Sequence, residues 1–546
     1  MKRIIFSFLA LVLISPVKAQ EVKNEKPKLV VGIVVDQMRY DYLTRFWERY
    51  GEGGFRRMIN EGYNFKNNHF NYVPTYTGPG HTSVHTGTSP MNHGIISNSW
   101  YDKFEGAEVY CAGDPSVEPV GTTSSAGKMS PHRMKVTTVS DQNRLHTQMR
   151  GKTIGISIKD RGSILPAGHT ANAAYWYHGG DEGKFITSSY YMEELPQWVK
   201  DFNNSNAAEE YFKTWNTLED ISTYKESGAD INNFEGGFRG KETASFPYDL
   251  AKLKDENGNY EIIPQTPFGN DLILDFMLVA IRAEQLGQDE DTDFLDVSFS
   301  STDKVGHNFG VDSKEIEDTY LRLDRNIAEL LQYLDNYVGE GNYTVFLTAD
   351  HGGGEVSSYL KSVKIPADYF DYNAFSDNLH AFVEEEYGES DFIENISNNQ
   401  VFFNYDALDE ADIATNELEE RIAHYILQQD QIDKVFTRSQ LENGGLTTGM
   451  GALIQNGFNQ KRSGDVVFVL NPGSGYSKGS THGSGYSYDT HAPLLFFGNG
   501  IPHGSTTERS EITDVAPTVS ALLGIEFPSG TTGHPLYIML DQEISE

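Results

Sequence analysis

The sequence predicts an α/β protein: a doubly wound, mostly parallel central sheet with helices on both faces and two capping insertions. Three observations predict it. Continuous apolar, β-branched runs recur along the chain, as expected of strands buried on both faces. Segments of helical periodicity separate them, and strand–helix alternation implies a parallel sheet. The 546 residues, 38% hydrophobic and 22% charged, hold enough apolar material for a large core. Length alone would allow roughly three to four domains; one large α/β unit with insertions fits it equally well.

The elements follow in order. Lys2 and Arg3 precede an apolar run from Ile4 to Ile14, and small residues, Val17 and Ala19, then flank Lys18. This reads as a signal peptide over residues 1–19, too short for a stable transmembrane helix, and it implies export to the periplasm. The remaining 20–546 form one unit. Strands are expected at Lys28 to Val35, Thr153 to Ile158, Phe294 to Ser300, Tyr343 to Leu347 and Pro493 to Phe497. Asn270 is placed to cap a helix that runs to Leu286 and stops at Gly287. A second helix carries Ile316 to Leu334 and ends at Gly339. A third, Ile512 to Leu523, runs into Gly524, with Asp514 as a capping residue. Two stretches break the alternation: 175–265, rich in aromatic residues, Asn and Gly, and 355–465, with a helix over Asp409 to Gln428 and strands near Val435 and Val466. Both read as insertions.

Charge narrows the function. With 43 basic and 78 acidic residues the net charge is −35, which argues against a nucleic-acid partner. The single cysteine, Cys111, excludes an intrachain disulfide and a multi-thiolate zinc site. A monomer without a stable membrane anchor is expected.

The acids fall where the strands end. The first strand ends at Asp36 (VGIVVDQMR), a middle one leads to Asp303 (SFSSTDKVGH), and another ends at Asp350-His351 (VFLTADHGGG). In a doubly wound sheet, ligands bind beyond the carboxyl ends of the strands. Carboxylates gathered at one such edge repel one another unless a cation neutralises them. His307 follows Asp303 by four residues, His351 adjoins Asp350, and His482 lies in a Gly/Ser-rich loop. Singly, each is as readily a turn, a cap or a packed histidine. Together, Asp36, Asp303, His307, Asp350, His351 and His482 can form two sites of three ligands, and imidazole with carboxylate favours zinc. His491 competes with His482 for the last place; at a strand start it reads as structural.

Thr77 is the nucleophile candidate. It precedes Gly78-Pro79-Gly80 where a helix is expected to start, at the positive end of the dipole. Its plain alternative is an ordinary N-cap. Thr75 and Thr82 do not stand directly before the glycine-bearing turn. His81, one turn on, His85 and His93 read as packed or supporting residues.

These residues, with the segments VVDQMRYDYL, TGPGHTSVHTG, NSWYD, SIKDRGSILP, STDKVGHNFG, TADHGG and THGSGYSYDTHAPL, resemble the alkaline phosphatase superfamily of two-zinc phosphohydrolases. More narrowly, they resemble its PafA-type bacterial monoesterases with a threonine nucleophile. The resemblance spans Lys28 to about Leu536. It implies two Zn²⁺ per chain: one held by Asp36, Asp350 and His351 beside Thr77, the other by Asp303, His307 and His482. It implies that Asn98 binds a phosphoryl oxygen, and that Lys159 and Arg161 mark a monoesterase. Two negative charges on a monoester, against one on a diester, agree with that extra cationic pair. The reaction implied is hydrolysis of small phosphate monoesters through a phosphothreonine on Thr77, with net retention at phosphorus.

Three other functions compete. A phosphodiesterase or nucleotide pyrophosphatase of the same superfamily would share Thr77, Asn98 and all six ligands, and Lys159 with Arg161 argues against it. A sulfatase would need a Cys or Ser in a C/S-x-P-x-R context, and the segment at Thr77 lacks that arginine. A non-catalytic periplasmic zinc-binding protein would take up metal without turnover.

Overall fold

The computed structural model describes residues 26–388, 391–476 and 478–541. The expected signal peptide, residues 1–19, lies outside the described residues.

Ten strands make the main sheet: β1 (Leu29–Val35), β2 (Tyr63–Phe65), β3 (Pro119–Val120), β4 (Thr153–Ser157), β5 (Ala173–His178), β6 (Lys184–Ser188), β7 (Asp293–Phe299), β8 (Tyr343–Thr348), β9 (Leu494–Gly498) and β10 (Gly504–Thr506). Their order is β10-β2-β9-β8-β1-β7-β4-β5-β6-β3. The five central strands, β8 to β5, are parallel, and β9 and β6 close them antiparallel. Every residue of β1, β7 and β8 is buried, which is why these strands read as unbroken apolar runs.

Six helices matter to the site: α1 (Thr77–Thr86), α2 (Asp160–Ala167), α3 (Phe268–Ala283), α4 (Ser301–Phe309), α5 (Lys314–Leu334) and α6 (Val515–Leu523). α1 packs on α2 and α6 over one face of the sheet, and α3 packs on α5 over the other. The apolar faces of α3 and α5 enter the same core as the strands, through residues such as Phe276, Ile281, Leu323 and Leu330.

Two capping assignments are corrected. Asn270 is the third residue of α3, not its cap; the helix starts after Pro267, whose fixed φ suits that place, and Asn270 Oδ1 instead accepts from Ser301 N at 3.2 Å. Asp514 precedes α6 without capping it through its side chain; its carboxylate accepts from Glu511 N and His534 N.

The two irregular stretches differ. The first, expected over 175–265, opens with β5 and β6, which belong to the main sheet. Its aromatic residues Trp215, Phe238 and Tyr248 join the main core. The second holds its own four-stranded sheet, ordered Ile393–Ser397, Gln400–Phe403, Val466–Leu470 and Ile432–Thr437. Helices Tyr372–Tyr387 and Thr415–Leu427 bury Leu379, Val383, Leu418 and Ile422 in a separate apolar core.

Candidate active site

β1, β7 and β8 are neighbours in parallel register, with Val34 opposite both Ser298 and Thr348, so their carboxyl ends emerge at one edge. Asp36 follows β1 directly, and Asp350-His351 follows β8. Asp303 and His307 sit four apart on α4, hence on one face of it. The six candidate ligands form two triads, Asp36/Asp350/His351 and Asp303/His307/His482; within each, the donor atoms lie within 4.8 Å of one another.

The histidines are oriented for ligation. Nδ1 lies 2.9 Å from Ser480 O in His307, 2.9 Å from Gly352 O in His351 and 2.8 Å from Thr75 O in His482. A carbonyl oxygen only accepts, so each Nδ1 carries the proton; Nε2 keeps a free lone pair in His351 and His482, whereas for His307 burial opposes a second proton but Asp303, 3.1 Å from its Nε2, raises its pKa. Burial holds His351 down to about 3 and pushes His482 well below the usual imidazole range. Asp36 Oδ1, Asp350 Oδ2 and His351 Nε2 are buried with no hydrogen-bond partner. Buried polar atoms left this way are costly, and a divalent cation satisfies all of them. Burial, with Asp36 beside it, raises Asp350 well above the carboxylate range. Burial acts the same way on Asp303, yet His307 and Lys159 hold it well below that range. Donor chemistry and orientation therefore fit one divalent cation in each triad.

Thr77 is the first residue of α1 and is buried. Position 80 must be glycine, because a Cβ there would stand 2.2 Å from Asp350 O; this close approach sets the helix start against the end of β8. Asn98 Oδ1 accepts from Gly78 N at 2.7 Å. Lys159 Nζ lies 3.5 Å from Thr77 Oγ1 and 2.6 Å from both Asp36 Oδ2 and Asp303 Oδ2, touching one carboxylate of each triad. Burial opposes its charge, but Asp303 and Asp36 raise its pKa overall. Arg161 Nη1 donates to the Tyr110 hydroxyl at 3.0 Å, and that hydroxyl donates to Asp160. Burial again opposes the charge of Arg161, and Tyr110 with Asp160 outweighs it.

The rivals are accounted for. Thr75 Oγ1 donates to Ser484 O and Thr82 Oγ1 to Gly78 O. His81 binds Thr77 O and Ser298 Oγ, with Nδ1 3.3 Å from Asp350 Oδ2, and so packs behind the site. His85 and His93 are buried along the same segment, bonded to His81 O and Ser83 Oγ. His491 stacks between Tyr40 and His69, outside both triads.

Three residues that the sequence did not single out complete the site. Gln37, in the left-handed region at φ 62°, donates from its backbone N to Asp350 Oδ1 and from Nε2 to Asp303 Oδ1 at 2.7 Å. It thus ties one triad to the other, and Gly306 leaves it room: a Cβ there would lie 2.0 Å from Gln37 Oε1. Tyr110 holds Arg161. Asn398, in the second insertion, donates to Ser99 O at 2.7 Å and accepts from Ser97 Oγ at 3.0 Å, gripping the segment that carries Asn98. Asn398-Asn399 was the legible signal, since paired asparagines suit a tight hairpin turn, and both have positive φ.

Known proteins bear on this arrangement. The family model for type I phosphodiesterase / nucleotide pyrophosphatase matches residues 30–493. The chain is 46% identical to alkaline phosphatase PafA of Elizabethkingia meningoseptica, over 94% of each chain. It is also 46% identical to a Myroides odoratus protein named a calcium-transporting ATPase, over 95% of this chain and 96% of that one. Among the described residues no helix is long and apolar enough to cross a membrane. The crystal structure of wild-type alkaline phosphatase PafA superposes with a TM-score of 0.90 at 44% identity, covering 94% of this chain and 99% of that one. The chain therefore belongs to the type I phosphodiesterase / nucleotide pyrophosphatase family and, within the alkaline phosphatase superfamily, to its PafA-type alkaline phosphatases.

Proposed function

We propose that this phosphatase hydrolyses small phosphate monoesters with two zinc ions and a phosphothreonine intermediate on Thr77. The observation that carries the reading is the placement of Thr77 Oγ1 beside Lys159 Nζ, which itself touches Asp36 of one triad and Asp303 of the other. Asp36, Asp350 and His351 would hold the zinc next to Thr77; Asp303, His307 and His482 would hold the zinc on the leaving-group side. Imidazole and carboxylate donors without thiolate favour that metal. When bound, the cation pair supplies Lewis-acid stabilisation of the attacking and leaving oxygens.

The chain's own groups do the rest. Thr77 Oγ1 gives up its proton to solvent and attacks phosphorus in line, forming a new P–O bond as the ester P–O bond breaks and the departing alkoxide takes a proton from solvent. Water then attacks phosphorus from the vacated side, releasing phosphate and returning Thr77. Two inversions give net retention. Asn98 Oδ1 is occupied by Gly78 N, so its Nδ2 is the donor left for a phosphoryl oxygen. Lys159 and Arg161 answer the second charge of a monoester; the flexible lysine stem turns its ammonium onto a non-bridging oxygen, and the guanidinium is held by Tyr110. The Lys-Arg pair, apolar run and small residues of 1–19 support export to the periplasm, which N-terminal sequencing of the secreted protein checks.

The deciding experiment compares kcat/KM for an aryl phosphate and the corresponding aryl methyl phosphate, with zinc counted in the same preparation. A monoester preference with two zinc ions per chain is expected. A diester preference would favour the phosphodiesterase reading, which the matched family model keeps in play. Metal uptake without turnover would favour a binding protein.

A further inference from the structure

Five of the six candidate ligands follow a strand closely or sit on α4, while His482 lies in a loop. That loop is rich in glycine. Gly479 and Gly483 have φ of 83° and 115°, and a Cβ at position 483 would stand 2.5 Å from the Tyr76 ring. A backbone of this kind has little stiffness of its own. The His482 ring stacks on that of His351, with centroids 3.5 Å apart, and its Nε2 lies 3.6 Å from Asp303 Oδ1. Stacking sets the plane of a ring but not its rotation within that plane, so hydrogen bonds must set where Nε2 points.

Those bonds form one chain. His482 Nδ1 donates to Thr75 O at 2.8 Å, and Thr75 Oγ1 donates to Ser484 O at 2.9 Å. Ser484 N and Oγ both donate to Asp489 Oδ2, at 2.8 and 2.5 Å. Asp489 belongs to the short helical turn Ser487–Thr490 and is buried. Its main-chain O accepts from Gly352 N at 2.7 Å, and Gly352 O accepts from His351 Nδ1. The carboxylate thus faces the His482 loop, and the main chain faces the His351 loop. Asp489 Oδ1 is buried with no hydrogen-bond partner. A buried carboxylate with one bare oxygen costs stability; what it adds is a fixed acceptor for two donors of a loop that glycine leaves loose.

We propose that Asp489 is a positioning residue for His482. Its carboxylate fixes Ser484 and, through Thr75, the imidazole, so that Nε2 points into the triad with Asp303 and His307. The side chain serves that triad alone, because the bond toward His351 is made by the main chain and survives substitution. The inference rests on the reading of two cations held by the triads.

The test reads cation affinity on the zinc-loaded protein by competition with a chromogenic chelator. Asp489→Ala is expected to weaken, by about tenfold to hundredfold, the ion that His307→Ala also weakens, and to leave the other within about threefold of wild type. Asp489→Asn, whose side-chain carbonyl can accept both Ser484 donors, is expected to hold both ions within about threefold of wild type. Equal weakening of the two ions in Asp489→Ala overturns the proposal, since lost packing alone would produce it. Unchanged affinity overturns it as well, and so does an Asn variant as weak as the Ala variant. Circular dichroism checks the fold of Asp489→Ala. If that variant does not fold, Thr75→Val decides, because it cuts the same chain nearer His482: binding of that one ion weaker by about threefold or more is expected, and wild-type affinity overturns the proposal. If the wild type binds fewer than two ions per chain, it is the two-cation reading that fails.

Discussion

The two triads are made of the same residue types and sit in opposite surroundings. Asp36, Asp350 and His351 are fully buried at strand ends, whereas the His307 side chain is 43% exposed. The sealed triad comes from β1 and β8, held by the central sheet. The open one joins one face of α4 to a loop histidine, His482. Enclosure makes the sealed donors expensive to leave uncompensated, so a cation there contributes to the fold itself. A cation in the open triad can exchange with solvent at less structural cost. One set of donors is built for retention, the other for access.

Substitutions can break or sharpen this contrast. The largest effect is expected from Thr77→Ala, which removes the proposed nucleophile and leaves both triads intact: kcat/KM falls on the order of 10⁴-fold, while metal analysis still finds two ions. Loss of an ion would mean that Thr77 also builds a triad. Asp350→Ala should lower kcat/KM by about a thousandfold and also lower Tm, because its neighbours stay buried. His307→Ala should leave Tm nearly unchanged and cost activity about a hundredfold. Equal Tm losses in the two variants would erase the distinction.

Chelation gives the same contrast without substitution. Metal release into excess chelator should be biphasic, with the open triad emptying first and activity following the fast phase. A single phase would show that the triads share one access route. Gln37→Ala cuts the tie between them; about a tenfold to hundredfold loss in metal affinity is expected at both sites, read by competition with a chromogenic chelator. A loss confined to one site would show that Gln37 serves that site alone. The smallest effect is expected from Tyr110→Phe, which frees Arg161: kcat/KM for an aryl phosphate falls about tenfold, and the aryl methyl phosphate reaction falls less. Equal losses would remove Tyr110 from phosphate recognition.

Much of this was legible in the sequence for physical reasons. Strands buried on both faces advertise themselves as unbroken apolar runs, and parallel strands place their ends together, so Asp36, Asp303 and Asp350 could be grouped before any coordinates. His482 was separable from His491 by its glycine-flanked loop, where the resemblance to the alkaline phosphatase superfamily implies a ligand. What was not legible depended on side-chain reach and backbone conformation. Nothing in the sequence says that Gln37 turns left-handed to reach both triads, or that Tyr110 meets Arg161 across fifty-one residues. Tyr175 to His178 read as part of an insertion for their aromatic content, although aromatic residues are good strand formers and Tyr175 and Trp176 pair with β4. Asn270 looked like a cap because its chemistry suits one, and the bond to Ser301 took it instead.

The Asn398 contact has a consequence for how such enzymes diversify. The region around it has its own sheet and its own apolar core, yet it grips the Asn98 strap through one short turn. A module exchanged between relatives must therefore bring an asparagine at the tip of that turn, together with the bonds that Asn456, Asn459 and Arg462 make to the frame. Chimaeras designed around that rule offer a direct route to new selectivity without redesigning the reaction centre.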